Sequence, residues 1–351
     1  MRAEKHEGLN IISARTFFFH SRYPIIRGHF KGWMPAAGRI LKKMAKPDDV
    51  LFTVSEPNLL MTYFNGRLAK KLGLKHVFFT WQNVPYKERI PGIKLKLTEW
   101  LIRKNISLGS GAVCGNNKAF DILSQYAPAG FKMLSIPVSG IDTGQFKPGI
   151  ESDFREKYGL KEKIVLTFIG ALDKRKGIET LLNSFITVSS SDSRLRLVII
   201  GAGPLEGFVN DFISAHEIEN KVIRLPWLEN DKLPGILCGS DIFLYPSEPY
   251  GGWEEQFGYS IAEASACGLP VISTDSGSIP EKVINNKTGF LIKPGSQEEL
   301  IRAIFSLAAD SELRRTMGQA GRQLIAENFS HEIVAQKLEK FLRDVAVEQN
   351  P

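Results

Sequence analysis

The sequence predicts an α/β protein of two domains, the second an open, doubly wound parallel sheet. Three observations carry that reading. At 351 residues the chain exceeds one typical domain. From Lys163 onward, short apolar runs rich in β-branched residues alternate with longer amphipathic stretches, which is the pattern of βαβ units. Between residues 139 and 149 the stretch SGIDTGQFKPG concentrates turn residues, as a linker does.

In the second half, strands are predicted at 164–169, 195–200, 222–225, 242–245 and 270–273. Each leads into a helical pattern, at 177–188, 205–216, 230–237 and 259–267, with a short turn after Ile279. An open sheet of this order places ligand sites at the carboxyl ends of its strands, and the motifs below fall there. The first half is less regular, with strands predicted at 49–54, 76–80, 112–114 and 132–136 and helices at 34–43, 59–72, 93–104 and 118–125. Beyond Glu298 the pattern is helical and closes with a helix from His331 to Val345. The domains are therefore drawn at 1–145 and 146–330, followed by a C-terminal helix within 331–351.

Composition narrows the classes. The chain is 43% hydrophobic and 24% charged, as ordinary globular proteins are. No apolar run is long enough to span a bilayer and no secretory signal pattern opens the chain, so a cytosolic protein is expected. Cys114, Cys238 and Cys267 are odd in number and lack metal-ligand spacing, and they read as reduced core thiols. A net charge of +7 and a pI near 9.1 favour anionic company. The cations are scattered rather than interleaved with aromatics, so nucleic acid is not an expected partner. The stretch 90–105, IPGIKLKLTEWLIRKN, is basic and amphipathic enough to touch anionic lipid. An ordinary surface helix with a buried Leu and Trp face accounts for the same pattern.

Three segments carry chemistry. In FIGALDKRKG, Gly170 permits close backbone approach, and Lys174, Arg175 and Lys176 follow before the next helix. Cations at such a strand-helix turn neutralise a diphosphate, although a solvated basic loop reads the same way. GAGPLE, starting at Gly201, lacks the three glycines of a dinucleotide fingerprint. A tight turn into a helix begun by Pro204 explains it equally well. The third segment is PSEPYGGWEEQFGYSIAEASACGLPVISTDSGSIPE. Here Glu255 precedes a helix, and Glu263 lies about one and a half turns into it, so the two acids occupy different depths of one site. The amides of Phe257, Gly258, Tyr259 and Ser260 stand at the helix start, where a phosphate binds readily. A purely structural reading makes Glu255 a helix N-terminal charge and Glu263 a surface residue. The small apolar neighbours Ile261, Ala262, Ala264 and Ala266 argue instead for a carboxylate that needs a partner.

Together these segments resemble the retaining glycosyltransferases of family 4, the glycosyl transferases group 1, which have the two-domain GT-B fold of paired Rossmann-like domains facing a cleft. The resemblance runs from Pro47 to Phe341 and is densest between Phe168 and Phe290. Supporting pieces in the family's order are KGIETLL, LRLVIIGAGPLE, RLPWLENDKLPGILCGSDIFLYPS and TGFLIKPGSQEEL. Carried over by position, the resemblance implies that Lys176 binds the diphosphate of a nucleotide-sugar donor and Glu263 its ribose. It also implies that Glu255 contacts hydroxyls of the transferred sugar, which makes Lys176 and Glu255 the catalytic candidates. Gly170, Ala171, Lys174, Arg175, Gly201 and the run Gln256, Phe257, Gly258, Tyr259 and Ser260 would line the donor. Leu225, Pro226, Trp227 and Leu228 would flank the nucleobase. The implied partners are a nucleotide-sugar donor and a glycan or lipid-linked acceptor, in polysaccharide, lipopolysaccharide or glycolipid biosynthesis. No cofactor or metal is expected, because protein cations take the place of magnesium. In relatives the last helix crosses back to the first domain.

The chain departs from the family in three places. Ala171 stands where the family has Arg, so Lys174 or Arg175 must substitute or donor binding weakens. The opening MRAEKHEGLNIISARTFFF matches the family's second strand and beyond, so the N-terminal domain is expected to lack its first βα unit. Gln82, beside Asn83 in FFTWQN, occupies a position where many relatives have a sugar-facing His; both are sugar or acceptor candidates, and Gln82 cannot move a proton. A catalytically silent nucleotide-sugar-binding protein of the same fold, or a truncated enzyme, is the alternative. A dinucleotide enzyme or an epimerase would need an intact fingerprint or a different acid/base set, and neither is visible.

Overall fold

The computed structural model describes residues 2–6, 9–13 and 36–347. The chain divides into two units, Met1–Ile136 with Lys337–Pro351, and Pro137–Gln336. The division falls just ahead of the turn-rich stretch at 139–149.

In the first unit, β1 (Arg2–His6) and β2 (Leu9–Ser13) pair antiparallel as a two-stranded sheet. The opening residues therefore do not extend the parallel sheet as the second strand of the family would. That sheet consists of β3 (Val50–Thr53), β4 (Lys75–Thr80), β5 (Gly111–Cys114) and β6 (Met133–Ser135), in that order and all parallel. These four strands follow chain order, without reversal. Helices α1 (Ala37–Met44), α2 (Leu60–Leu72), the short α3 (Tyr86–Arg89), α4 (Ile93–Leu108) and α5 (Asn117–Ser124) connect them. The predicted helix at 34–43 begins outside the described residues. Strand β4 is buried along its whole length, as expected of a strand covered on both faces. Its Phe78 shares a core cluster with Ile102, Ile106 and Leu123.

The second unit holds six parallel strands: β7 (Ile164–Ile169), β8 (Leu195–Ile200), β9 (Val222–Leu225), β10 (Ile242–Tyr245), β11 (Val271–Thr274) and β12 (Gly289–Ile292). Their order, β12-β11-β10-β7-β8-β9, is the doubly wound arrangement. The reversal lies between β7 and β10, the position at which open sheets of this kind bind ligands. Between the strands run α6 (Phe154–Lys157, ahead of β7), α7 (Ile178–Ser191), α8 (Glu206–Ala215), α9 (Leu233–Cys238) and α10 (Tyr259–Ala266). Helix α7 buries Ile178, Leu181, Leu182, Phe185 and Val188, one face at helical spacing. The strand expected at 270–273 begins one residue later, because Pro270 lacks a backbone N–H and takes part only through its carbonyl, which accepts from Phe243. The unit closes with α11 (Gln297–Ala309) and α12 (Ser311–Asn328), capped by Ser296 and Asp310 through their side-chain oxygens.

Helix α13 (His331–Val347) is continuous, and its residues from Lys337 belong to the first unit. There Lys132 Nζ donates to the carbonyl of Asp344, and a Cβ on Gly111 would stand 3.1 Å from the Phe341 ring.

Candidate active site

The loops at the carboxyl ends of β7, β8 and β10 are held in close backbone approach. A Cβ on Gly201 would lie 1.9 Å from the carbonyl oxygen of Gly170, so only glycine fits after β8. Asp173 caps the 3-10 turn Lys174–Lys176 by accepting from the amide of Arg175. Gly177 then turns left-handed at φ 63°, with its α-carbon face pressed against the carbonyl of Pro246. Ser247 Oγ and the amide of Glu248 both donate to the carbonyl of Arg175, which ties the loop after β10 to this turn.

On that frame Lys176, Tyr245 and Glu255 form a closed triangle. Lys176 Nζ donates to Glu255 Oε2 at 2.6 Å and to Tyr245 Oη at 2.5 Å, and Tyr245 Oη donates to Glu255 Oε2 at 2.8 Å. Burial, with the Glu255 carboxylate next in effect, holds the Tyr245 phenol well above its ordinary range, so it acts as a donor. Trp253 lies under two cations, with its ring centroid 4.7 Å from Lys176 Nζ and 4.6 Å from Arg175 Cζ. Arg175 is committed elsewhere as well, since Asp173 binds its guanidinium through Nε and Nη2. Lys174 is exposed. Of the two cations expected to replace the missing Arg at position 171, Arg175 is thus already paired and Lys174 stands in solvent.

Glu255 leads into α10 through Gly258, left-handed at φ 79°. The first amide bonded within the helix is that of Ala262, to Gly258 O, so the amides of Tyr259, Ser260 and Ile261 have no acceptor within the helix and stand at the positive end of its dipole. Gly277 closes this turn from behind, because a Cβ there would stand 2.2 Å from Glu255 O. The amide of Ser278 donates to the same carbonyl.

Glu263 sits apart from the triangle. It lines a cavity of about 390 Å³ together with Ser139, Asp142, Gln145, Asn230, Tyr259 and His331. Burial lifts its carboxyl to about 7, moderated by a long hydrogen bond from Asn230 Nδ2 at 3.5 Å. The structure therefore assembles Lys176 and Glu255 directly and places Glu263 in a neighbouring pocket off the same helix. Leu225 accepts from the amide of Gly201, whereas Pro226 and Trp227 are exposed and Leu228 is half-buried.

In the first unit, Gln82 is held by its own loop. Its amide donates to Val84 O and accepts from Arg89 Nη1, and Asn83 is buried. Glu56 braces this loop from below, accepting from Thr80 Oγ1 and the amide of Trp81, with burial raising its carboxyl above the ordinary value. His76 is likewise a buried neutral ring, pushed down to about 4 by burial. The three thiols are unpaired; Cys114 and Cys267 are core residues, but Cys238 is only half-buried and donates to Lys147 O, which corrects its reading as a core thiol.

Sequence reasoning passed over Tyr245, Trp253 and Asn230. Tyr245 is the last residue of β10, at the carboxyl edge where ligands bind, and that position was its available signal. Trp253 lay inside the quoted motif without an assigned role.

Residues 151–324 match the model of the family described as Glycosyl transferases group 1. Among curated proteins, the GDP-mannose-dependent alpha-(1-6)-phosphatidylinositol monomannoside mannosyltransferase of Mycobacterium tuberculosis is 30% identical over 208 residues, which is 58% of this chain and 54% of that protein. The match spans about half the length of that relative. Among solved structures, Anabaena HepE in complex with UDP superposes with a TM-score of 0.74 at 18% identity, covering 88% of this chain and 81% of HepE. A glycosyltransferase from Rickettsia africae gives 0.74 at 21% identity, covering 94% and 84%. At these identities the two structures speak for the fold, which is GT-B. The segment 151–324, which carries all six strands of the second unit, belongs to the glycosyl transferases group 1 family.

Proposed function

We propose that this protein is a retaining glycosyltransferase that moves a hexose-type sugar from a nucleoside-diphosphate sugar to an acceptor hydroxyl. The observation that carries the reading is the Lys176–Tyr245–Glu255 triangle at the reversal point of a doubly wound sheet, beside the open amides of α10. The diphosphate docks on those amides and draws the ammonium of Lys176 from Glu255 toward itself. Glu255, partly released, accepts from hydroxyls of the sugar, and Glu263 takes the ribose hydroxyls. Trp227, an exposed indole beyond β9, is placed to cover the base.

As the glycosidic bond to the diphosphate breaks, negative charge grows on the leaving phosphate. Lys176 and the helix dipole stabilise that charge without a metal. The acceptor hydroxyl attacks from the face that the leaving group vacates, which retains configuration. Neither Glu255 nor Glu263 is assigned as a nucleophile, so the paired-carboxylate scheme of hydrolases does not apply.

A glycan or lipid-linked acceptor at the cytoplasmic side of an anionic membrane fits the outer face of α4. Ile93, Leu97 and Trp100 are 75%, 63% and 55% exposed along one stripe, with Lys94, Lys96, Arg103 and Lys104 exposed around them. Trp100 is thus not part of a buried helix face, as the ordinary-helix reading required.

The direct test is a calorimetric panel of UDP, GDP and ADP sugars on the whole chain, repeated with Lys176→Ala and Glu263→Ala. Selective binding of one base, lost in both variants, followed by transfer with retained anomeric configuration, is the expected result. Ala171, with Arg175 already bound to Asp173, favours a second reading in which the site binds donor without turning over. Donor binding with neither transfer nor donor hydrolysis would select that reading, and no binding at all by folded protein would sink both.

A further inference from the structure

Behind the phosphate-binding turn lies a cation that the proposed mechanism does not use. Lys282 is completely buried, with no accessible surface, directly after the 3-10 turn Ile279–Glu281. A lysine so placed demands an explanation, since an ammonium without water is costly unless its protons are satisfied. Its Nζ donates to Ser278 Oγ at 3.0 Å. The remaining protons face two aromatic rings, Phe257 at 4.6 Å and Phe329 at 5.6 Å from their centroids. The nearest carboxylate, Glu281, is 3.9 Å away.

The contacts of Lys282 with Ser278 and with the two rings lead to the turn between Glu255 and Gly258. Ser278 Oγ, having accepted from Lys282, donates to the carbonyl of Gln256 at 2.7 Å, and the Ser278 amide holds the carbonyl of Glu255. Phe257, under the ammonium, is a residue of the turn itself and packs on Phe329 and Tyr259. Through Ser278 Oγ and its contact with Phe257, the Lys282 side chain therefore bears on one carbonyl and one ring of the segment that leads into α10.

We propose that Lys282 is a positioning residue for the anionic part of the ligand: it holds the turn 255–258 in its phosphate-binding form and places a second, buried positive charge behind it. This rests on the donor reading above, and it supplies the charge that Ala171 and the engaged Arg175 do not. Burial pulls the Lys282 ammonium down to about 8, with Glu281 and Glu255 acting against that fall. Its charge is consequently labile just above neutrality, and the charge of an exposed lysine would not be.

The test is the affinity of nucleoside diphosphate, measured by calorimetry against that of the uncharged nucleoside, from about pH 7.5 to about pH 9.5. That window lies above the titration of Glu263, at about 7, and Tyr245 stays protonated through it. The base used is the one the wild-type chain prefers. Lys282→Met keeps most of the volume and removes the charge. Diphosphate affinity of the wild type should fall roughly tenfold across the window, whereas Lys282→Met should start roughly tenfold weaker and stay flat. Nucleoside affinity should be the same in both proteins. Equal diphosphate affinity in the two, or a parallel loss of nucleoside and diphosphate binding in Lys282→Met, overturns the proposal and leaves the donor reading standing. If wild-type protein of native melting temperature binds no nucleoside diphosphate, the donor reading falls and takes this one with it.

Discussion

Lys176 and Glu255 come from loops 79 residues apart and meet at 2.6 Å, with only 12% and 9% of their side-chain surfaces exposed. A pair this dry is held by its geometry, and removing one member strands the other. Lys176→Met should lower stability by about 3–5 kcal/mol in urea unfolding, because the Glu255 carboxylate loses its cation. Adding Glu255→Gln should recover part of the loss. A double variant no more stable than Lys176→Met would show that charge pairing is not what couples them.

Glu263 predicts a pH dependence whose sign is opposite for folding and for binding. Its carboxyl rises from an ordinary 4.5 to about 7 in the fold, so the folded state keeps a proton that the unfolded chain has lost. That contribution to stability is complete below about pH 4.5 and disappears as pH rises through about 7; it amounts to something on the order of 3 kcal/mol. Glu263→Gln should flatten the slope between those values and stabilise the protein at alkaline pH. Donor affinity, which needs the carboxylate to accept from hydroxyls, should instead rise over the same range. Identical pH slopes of unfolding in wild type and variant would refute the burial argument.

Two left-handed glycines separate steric clash from backbone strain. Gly177 has φ 63° and would carry its Cβ 1.9 Å from Pro246 O; Gly159 has φ 64° and nothing within 4 Å. Gly159→Ala should cost about 1 kcal/mol, the price of the left-handed conformation alone. Gly177→Ala should cost at least about 3 kcal/mol and weaken donor binding, because the Lys176 turn must shift. Thermal unfolding of the two variants side by side gives the comparison.

The apolar stripe on α4 predicts salt-sensitive attachment to vesicles. The protein should sediment with vesicles containing anionic lipid and not with neutral ones, and added salt should release it. Replacing Ile93, Leu97 and Trp100 together by Ser should abolish sedimentation while sparing nucleotide binding in the second unit. Equal binding to neutral and anionic vesicles, or concentration-dependent dimers through this face, would remove the membrane from the proposal.

Much of this architecture could be read from residue patterns. Strands β7, β10 and β11 are buried along their whole length, and a run such as IVLTFI admits little else. Close backbone approach was read at Gly170, and it is the carbonyl of Gly170 that leaves no room for a Cβ on Gly201. Strand β12 escaped, since GFLI opens on a glycine and lies between the turn residues NNKT and KPGS. What patterns could not supply was partnership across the sheet. Arg175 reads as a free cation beside Lys176 until Asp173 is seen to hold it. Lys282 reads as a surface lysine in IPEKV until Phe257 and Phe329 are found around it. Both depend on side chains brought together by tertiary packing, to which local periodicity is blind.

The strand order has a consequence for synthesis of the chain. Strand β7 pairs with β8 on one side, but its other neighbour, β10, is encoded after β9. A ribosome releasing the protein from its N-terminus will therefore have exposed a largely apolar strand with one edge unpaired until Ile242–Tyr245 has cleared the exit tunnel. Such an edge invites pairing with neighbouring nascent chains. Chaperone capture during translation should accordingly peak between the emergence of β9 and that of β10, the interval in which Lys176 is already outside and still has no Glu255 to meet.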